Sequence, residues 1–424
     1  MRILITGATG LIGSALVAAL HQREHQVVAC VHRHHGQRLP VGTETVAVDY
    51  TRDLSVETWQ PRLAGVDVVI NAVGILRESS HAKFSELHHL APRALFQACE
   101  QGAVRRVVQI SALGAEANAV SRYHRSKRAA DDVLRASKLD WTIVQPSVVF
   151  GPHGASTQLF LRLASLPVIP LVGRGEQTLQ PIHIGDLAML VVNLIERGLA
   201  IKQTIVAVGP EAVTMRSMLS RYRQSMGMGK ALMIPVPLAL IRLVARVGDI
   251  LRSGALSTET LGMLLSGNTG SVQVTTEILG SPPQAIKDFI PPELAEPLRR
   301  RAVWAWVRPA LLVTLAMVWI TAGLVSWIYA HDYGVSMLMM LGISPGLAHS
   351  AFAAACGLNV ALGMATLLMP GRTLWWTQLA TMGLYTIALS WVAPQLWADP
   401  FGALIKNLPL AVLLLALLAM PDEA

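Results

Sequence analysis

Short unbroken apolar runs alternate with amphipathic stretches over the first third of the chain. Arg2–Thr6, Gln26–His32, Asp67–Asn71, Arg106–Ile110 and Trp141–Gln145 read as strands, with helices between them over Leu11–His21, Phe84–Gln101 and Lys127–Ser137. Strands that are apolar on both faces and separated by helices specify a parallel sheet covered on both sides, an α/β fold of the doubly wound Rossmann type. This core is expected over residues 1–150. From 151 to 290 the pattern is less regular and richer in Gly and Pro, as suits a small cap subdomain on the substrate side together with the remaining Rossmann elements. Within that stretch Ala231–Ile241 is apolar and broken by two prolines. It reads as a cap helix, with a dip into a membrane interface as the alternative.

The pattern then changes character. Residues 291–308 read as a Pro-rich, charged linker, and four apolar segments follow at Pro309–Tyr329, Leu347–Met369, Leu374–Leu396 and Phe401–Met420. Each approaches the roughly 20 residues that a bilayer core requires. Trp304, Trp306, Trp327, Trp375, Trp376 and Trp397 fall near segment ends, where an interfacial aromatic belt belongs. Residues 309–424 are therefore expected to form a four-helix transmembrane bundle. Ala353, Gly357, Ala361 and Ala365 recur every four residues in the second span, a small-residue face suited to close helix contact.

Composition fits this division. The chain is 52% hydrophobic and 15% charged, too apolar for an ordinary soluble enzyme. Of 35 basic and 27 acidic residues, only Arg372, Lys406, Asp332, Asp399, Asp422 and Glu423 lie beyond residue 308, so the first part is strongly basic. A basic domain suits an anionic membrane leaflet and an anionic cofactor; with no recognition helix or aromatic-interleaved basic stripe, nucleic acid is not expected as a partner. Arg299, Arg300, Arg301 and Arg308 flank the first span and Arg372 lies between the second and third, which places both chain ends on the cytoplasmic side of the membrane. Cys30, Cys99 and Cys356 have no paired spacing and read as reduced packing residues. Met1–Leu20 has the outline of a leader, but Gly7, Gly10 and Gly13 interrupt it at a spacing with another purpose.

That purpose is a nucleotide turn. In Thr6-Gly7-Ala8-Thr9-Gly10-Leu11-Ile12-Gly13, Gly7 permits the tight turn off the strand, Gly10 lets the backbone approach a pyrophosphate and Gly13 lets the helix pack on the sheet. Thr9, Leu11 and Ile12 stand at the helix start, whose N–H groups face the phosphates. At the end of the second strand, His32-Arg33-His34-His35 replaces the acidic residue that selects NAD, and Arg33 is placed to pair with a 2′-phosphate. NADP(H) is therefore favoured over NAD(H). Asp49 is positioned to accept from the adenine amino group, and Asn71, Ala72 and Gly74 to run beside the adenosine and ribose.

Tyr123 and Lys127 lie four residues apart on one helix face, where a cation lowers a phenol's pKa for proton exchange near neutral pH. The lysine is also placed to hold the nicotinamide ribose. Ser111, after the RVVQI strand, is placed to orient the substrate oxygen. His331 and His349 read as isolated polar groups, and no metal site is expected.

TGATGLIG, ISALGA at 110–115, YHRSK at 123–127 and QPSVVFGP at 145–152 resemble the extended and atypical short-chain dehydrogenases/reductases, in the branch of the dinucleotide-binding accessory subunit of respiratory complex I. QPIHIGD at 180–186 and LSTETLGMLLSGN at 256–268 resemble the same branch, and the resemblance spans roughly residues 1–290. It implies Ser111, Tyr123 and Lys127 as the catalytic triad and places Pro146, Val148 and Val149 along the nicotinamide. Gln145 departs from the pattern, since many members have Arg there. The four-span region resembles DoxX-like membrane domains. Two function classes stay open: a membrane-anchored oxidoreductase acting on the carbonyl or alcohol of a lipophilic substrate such as a lipid, isoprenoid or quinone, and a non-catalytic NAD(P)H-binding subunit of a membrane complex. Membrane lipid and complex or homo-oligomer partners are expected with either.

Overall fold

The computed structural model describes residues 1–32, 39–119, 121–250 and 257–420; at Ile250 only the backbone is described. The chain divides into two compact units, Met1–Arg299 and Arg300–Ala424.

The first unit is built on a seven-stranded sheet. Its strands are β1 (Arg2–Thr6), β2 (Gln26–Val31), β3 (Glu44–Ala47), β4 (Val68–Asn71), β5 (Arg106–Ile110), β6 (Asp140–Pro146) and, after four short strands β7 to β10 (149–150, 168–172, 178–179 and 182–183), β11 (Gln203–Ala207). The order is β11-β6-β5-β4-β1-β2-β3, and every pairing is parallel. Consecutive apolar residues such as Ile3, Leu4 and Ile5 are all fully buried because they alternate between two covered faces. One face packs on α1 (Leu11–Gln22) and α6 (Ile184–Glu196) through Leu16, Leu20, Leu187 and Val191. The other packs on α2 (Val56–Trp59), α3 (Ala91–Gln101) and α4 (Arg122–Arg135) through Trp59, Leu95, Phe96 and Leu134. Each such large side chain taken fully out of water contributes about 1.5–3 kcal/mol. The sheet order reverses between β1 and β4, and the crevice beyond their C-terminal ends is where such sheets bind ligands.

Several elements differ from expectation. The helix read over Lys127–Ser137, with Tyr123 on the same face, runs from Arg122 to Arg135, and the Ser121 hydroxyl at its start accepts from the backbone N–H of His124. A turn of π-helix, Glu86–Leu90, precedes α3. Beyond α5 (Ala155–Ser165) and α7 (Met215–Ser225), the apolar stretch read as one cap helix splits in two. Leu232–Val236 forms β13, which pairs with β8, while β12 (Val213–Thr214) pairs with β9. The helix α8 starts only at Leu238 and runs to Ile250. Pro235 is tolerated because the β8–β13 ladder has only two strands, and Pro237 precedes the helix. The unit continues with α9 (Thr258–Leu265) and α10 (Gln273–Leu279).

The expected linker is helical. α11 runs unbroken from Pro292 to Tyr329, and the boundary between units falls inside it. Pro292 occupies its first position, where a missing N–H costs nothing, and Glu, Leu, Ala and Arg then favour continuation.

In the second unit α12 (His331–Met340), α13 (Pro345–Leu368), α14 (Arg372–Val392) and α15 (Asn407–Ala419) follow. Helix covers part of each of the four predicted segments, and α12 occupies what was read as a loop. Among the described residues two helices, α11 and α13, are long and apolar enough to cross a membrane; α15 has 13 residues. The predicted small-residue face of α13 does not make the close contact, since a Cβ on Gly357 would meet nothing within 4 Å. Gly363 makes it instead: a Cβ there would lie 2.6 Å from Ile320 and 2.8 Å from the Ala316 carbonyl oxygen. A repeat of small residues does not say which face turns inward; the larger Phe352, Cys356 and Leu362 decide that by being buried.

Candidate functional site

The turn after β1 has the geometry that its glycines predict. Gly7 sits at φ +68°, and a Cβ on it would come within 2.8 Å of the Ala72 backbone at the end of β4. A Cβ on Gly13 would stand 2.0 Å from the Gly7 carbonyl oxygen, so only glycine lets α1 close on the turn. Gly10 is different. Among the described residues a Cβ there would meet only the Gly7 oxygen, at 3.2 Å, so its outer side is open to them. Gly10 is also the N-cap of α1, and no side chain caps the helix or places an acid in its first turn. Uncapped N–H groups behind an open glycine fit a pyrophosphate.

Leu11 turns to a partner the sequence reading did not foresee. Its side chain packs where a Cβ on Gly151 or Gly154 would lie, at 2.7 and 2.8 Å, so the loop after β7 closes over the helix start through two glycines.

Asn71 is 1% exposed and turns inward. Its Oδ1 accepts from Thr6 Oγ1 at 2.7 Å and Tyr50 OH at 3.0 Å, and its Nδ2 donates to Gln109 Oε1 at 2.7 Å. The side chain thus bridges β1, β4 and β5, leaving Ala72 and Gly74 as the parts of that segment beside the glycine turn and Lys127. Asp49 Oδ1 accepts from the Thr51 N–H and hydroxyl, which hold its carboxyl below the usual range, and Oδ2 lies 3.7 Å from Arg52 Nε. Arg33 lies outside the described residues. Thr9 is half-buried beside the turn and Ile12 is half-buried on α1.

Tyr123, Lys127 and Asp131 follow one another at four-residue intervals along α4 and are all buried. Lys127 Nζ donates to the carbonyl oxygens of Val73 at 2.9 Å and Ile110 at 3.0 Å, and a Cβ on Gly74 would be 3.1 Å from it. The lysine therefore ties the β4 loop, which touches the glycine turn, to the end of β5, which carries Ser111. Burial pulls its ammonium down to about 8, against the opposing pull of Asp131.

The expected tuning of Tyr123 by Lys127 is not what the structure shows. Burial pushes the phenol up to about 12, with the Asp131 charge adding to the rise. The ring is packed edge-on to Phe84, His88 and His124, and its backbone N–H donates to Glu259 Oε1 at 2.6 Å. Dehydration of the phenolate outweighs a cation whose ammonium is directed to two backbone carbonyls.

Two residues of this cluster escaped the sequence reading. Asp131 Oδ2 accepts from Ser111 Oγ at 2.6 Å, its Oδ1 has no hydrogen-bond partner among the described residues, and burial raises the carboxyl to about 6. Its signal was present: one helical turn past Lys127 on the same face. His88, from the π-helical turn, accepts the Ile75 N–H at Nε2 (3.0 Å), which leaves Nδ1 to donate to Ser126 Oγ at 2.8 Å. Ser126 in turn donates to the Tyr123 carbonyl oxygen. Nothing local to His88-His89 distinguishes that role.

At the far side of the site, Pro146 ends β6 and Val149 belongs to β7. The Val148 N–H donates to Asn268 Oδ1 at 2.8 Å, and the Asn268 carbonyl accepts from Gln180. The 257–268 segment thereby returns to the loop that follows β6.

Residues 7–159 match the NAD(P)H-binding family, and residues 316–415 match the DoxX-like family. The chain joins an NAD(P)H-binding Rossmann domain to a DoxX-like domain. The chain is 32% identical over 192 residues to a ceramide reductase of Caulobacter vibrioides, covering 45% of this chain and 59% of that protein. It is 27% identical over 225 residues to the mitochondrial NADH dehydrogenase (ubiquinone) 1 alpha subcomplex subunit 9 of Arabidopsis thaliana, covering 50% and 54%. The chain thus spans little more than half the length of these curated relatives. In fold, it is similar to a nucleoside-diphosphate-sugar epimerase of Staphylococcus aureus (TM-score 0.55, 18% identity, 68% of this chain and 99% of that one). It is also similar to a UDP-glucuronic acid 4-epimerase of Bacillus cereus solved with UDP-glucuronic acid and NAD (TM-score 0.53, 20% identity, 71% and 99%).

Proposed function

We propose that the chain is a membrane-anchored oxidoreductase of the short-chain dehydrogenase/reductase type, using NADP(H) on the carbonyl or alcohol of a lipophilic substrate. One observation carries the reading: Lys127 Nζ binds the backbone just after β4 and at the end of β5, at Val73 and Ile110, and so links the loop that touches the glycine turn to the strand end that leads into Ser111, with Tyr123 one turn away on the same helix. Gly7, Gly10, Gly13 and the α1 N-terminus hold the pyrophosphate, with Ala72 and Gly74 alongside and Pro146, Val148 and Val149 toward the nicotinamide. Arg33 at the end of β2 selects the 2′-phosphate.

When bound, the nucleotide supplies or takes up the hydride. Tyr123 keeps its proton through neutral pH because its phenol stands at about 12, so it serves carbonyl reduction by donating to the oxygen that gains charge. Two of the three Lys127 donors meet backbone carbonyls, which leaves the third for the ribose in this reading. While Asp131 is ionised it holds the Ser111 proton, so Ser111 can accept from the hydroxyl of the alcohol product and the carbonyl oxygen takes its hydrogen bond from Tyr123.

The substrate class is supported by the apolar helices of the DoxX-like domain and by a relative named for ceramide reduction. We read that domain as four spans, with α14 and the α15 region joining α11 and α13 and the N-terminal domain on the cytoplasmic side, from the arginines flanking the first span.

The test is NADPH consumption by the full chain with long-chain carbonyl lipids. Tyr123→Phe is expected to lower turnover about 100-fold or more while leaving nucleotide affinity unchanged. Unaltered turnover of the same substrates would remove Tyr123 from the chemistry. The enclosure of Tyr123 by Phe84, His88 and His124 favours a second reading, a non-catalytic nucleotide-binding subunit of a membrane complex. Tight NADPH binding with no hydride exchange on any such lipid selects it.

A further inference from the structure

We propose that α8 lies on the bilayer surface, with its outer apolar face at the boundary of headgroups and acyl chains and its arginines on anionic lipid phosphates. The proposal goes beyond the function above but rests on its membrane reading, since α8 needs a bilayer beside it.

The exposed positions of α8 carry the argument. Leu240, Leu243, Val244 and Val247 are 51%, 57%, 51% and 45% exposed. Their spacing of three, four and seven residues gathers them in an arc of about 100° on one side of a helix with 3.6 residues per turn. Ile241 and Ala245 are buried and form the different face by which α8 packs on its own domain. The outer apolar arc is therefore additional to the packing face. Going round the helix, exposed Arg246 and Arg242 come next to the arc, on the flank away from the packed face. The strand leading into α8 adds exposed Leu232 and Ile234, and exposed Lys230 precedes it. Four large apolar side chains in one stripe with cations on its flank match a helix lying in a membrane interface rather than one facing water. The same chain carries two helices long and apolar enough to cross a membrane, so a bilayer is held near this domain.

The position of α8 gives the contact a use. Asp249 Oδ2 accepts from the Thr258 hydroxyl at 2.7 Å and its N–H at 3.2 Å, tying α8 to the start of α9. From α9, Glu259 takes the Tyr123 N–H, and Met263 packs against the cluster of Phe84, Ala112 and Tyr123. The helix α9 thus connects the proposed lipid contact to the surroundings of Tyr123.

The experiment places an environment-sensitive fluorophore on Leu243→Cys of the full chain; Cys30, Cys99 and Cys356 are buried, so labelling goes to the new thiol. The protein is inserted in nanodiscs of phosphatidylcholine with phosphatidylglycerol, with and without lipids carrying a nitroxide near the top of the acyl chain. Emission at position 243 is expected to fall by about twofold or more with the nitroxide lipid, and a Glu57→Cys probe is expected not to respond. Arg242→Glu with Arg246→Glu is expected to abolish the quenching. Retained quenching in that variant overturns the role of the arginines. An unquenched Leu243→Cys probe in inserted protein overturns the proposal alone, whether or not the site then cross-links to a second copy. Failure of the chain to insert removes the membrane reading together with this proposal.

Discussion

Ser111 Oγ donates to Asp131 Oδ2 at 2.6 Å, and both residues are buried. The pair gives a serine placed for substrate a carboxylate that fixes its only proton, and it leaves Asp131 Oδ1 buried without a hydrogen-bond partner among the described residues. A buried carboxylate carries a desolvation cost, visible in its rise from the ordinary carboxylate range to about 6.

Asp131→Asn keeps the shape and an acceptor for Ser111 while removing that charge. Above about pH 6 the native carboxylate is ionised in both folded and unfolded chains, so the full cost falls on the folded one. As pH falls through 6 toward 3.8 the folded state takes up its proton first, and the cost fades. The variant is therefore expected to be more stable than the parent at pH 8, on the order of 1–3 kcal/mol, with the gap closing by about pH 4. Thermal melts of the full chain across that range measure it. A gap independent of pH would mean that Asp131 does not carry the charge assigned to it.

Gly10 and Gly13 separate binding from folding. Gly13→Ala drives a Cβ to 2.0 Å from the Gly7 carbonyl oxygen, a backbone clash that no rotamer relieves, and is expected to destabilise the domain by about 1–3 kcal/mol or more. Gly10→Ala meets a single atom at 3.2 Å and points to the open side. It is expected to melt within a few degrees of the parent while weakening NADPH by about tenfold or more, roughly 1.4 kcal/mol. Titration and melting of both variants decide the matter; equal nucleotide affinity for Gly10→Ala and the parent would put the pyrophosphate elsewhere.

Some of this was legible in the sequence and some was not, for physical reasons. The strands could be read because both faces of the sheet are covered, so Ile3, Leu4 and Ile5 form one apolar run. The glycine turn could be read because its constraint is local, within eight residues. His88 and Asp131 could not, because their roles arise from Ile75, Ser126 and Ser111, which only the fold brings to them. Ala231–Ile241 was misjudged as one element because apolar character alone does not separate the strand Leu232–Val236, in a two-stranded ladder, from the helix that starts at Leu238. The boundary between the units does fall within residues 291–308, but its helical form was not legible, because prolines near a helix start look like a linker when the helix is not yet known.

His88 holds the loop that faces Lys127. Burial, then the Lys127 charge, pulls the imidazole down to about 2, so it stays neutral and its Nε2 remains an acceptor for the Ile75 N–H. His88→Ala leaves that N–H without its acceptor, and a cost of about 1–3 kcal/mol is expected. His88→Gln, which offers an acceptor and a donor, is expected to recover part of it. Amide hydrogen exchange at Ile75 is the direct readout: exchange as slow in His88→Ala as in the parent would show that the bond does not protect it.

Lys127 sets the pH dependence expected for nucleotide binding. Its ammonium has three donors, of which two go to Val73 and Ile110. Loss of the proton at about pH 8 leaves two donors, and the backbone carbonyls, held in place by β4 and β5, keep them. The donor given up is the one proposed for the ribose, along with the positive charge that favours an anionic ligand. NADPH affinity is therefore expected to fall about three- to tenfold between pH 7 and 9, on the order of 1 kcal/mol. Tyr123, at about 12, cannot supply a transition in that window, and Tyr123→Phe is expected to keep the same profile. In Lys127→Met the weaker binding is expected to be flat with pH. A parent profile that is itself flat from pH 7 to 9 would take the ribose contact away from Lys127, because a lysine whose third donor touched the nucleotide could not lose it without effect.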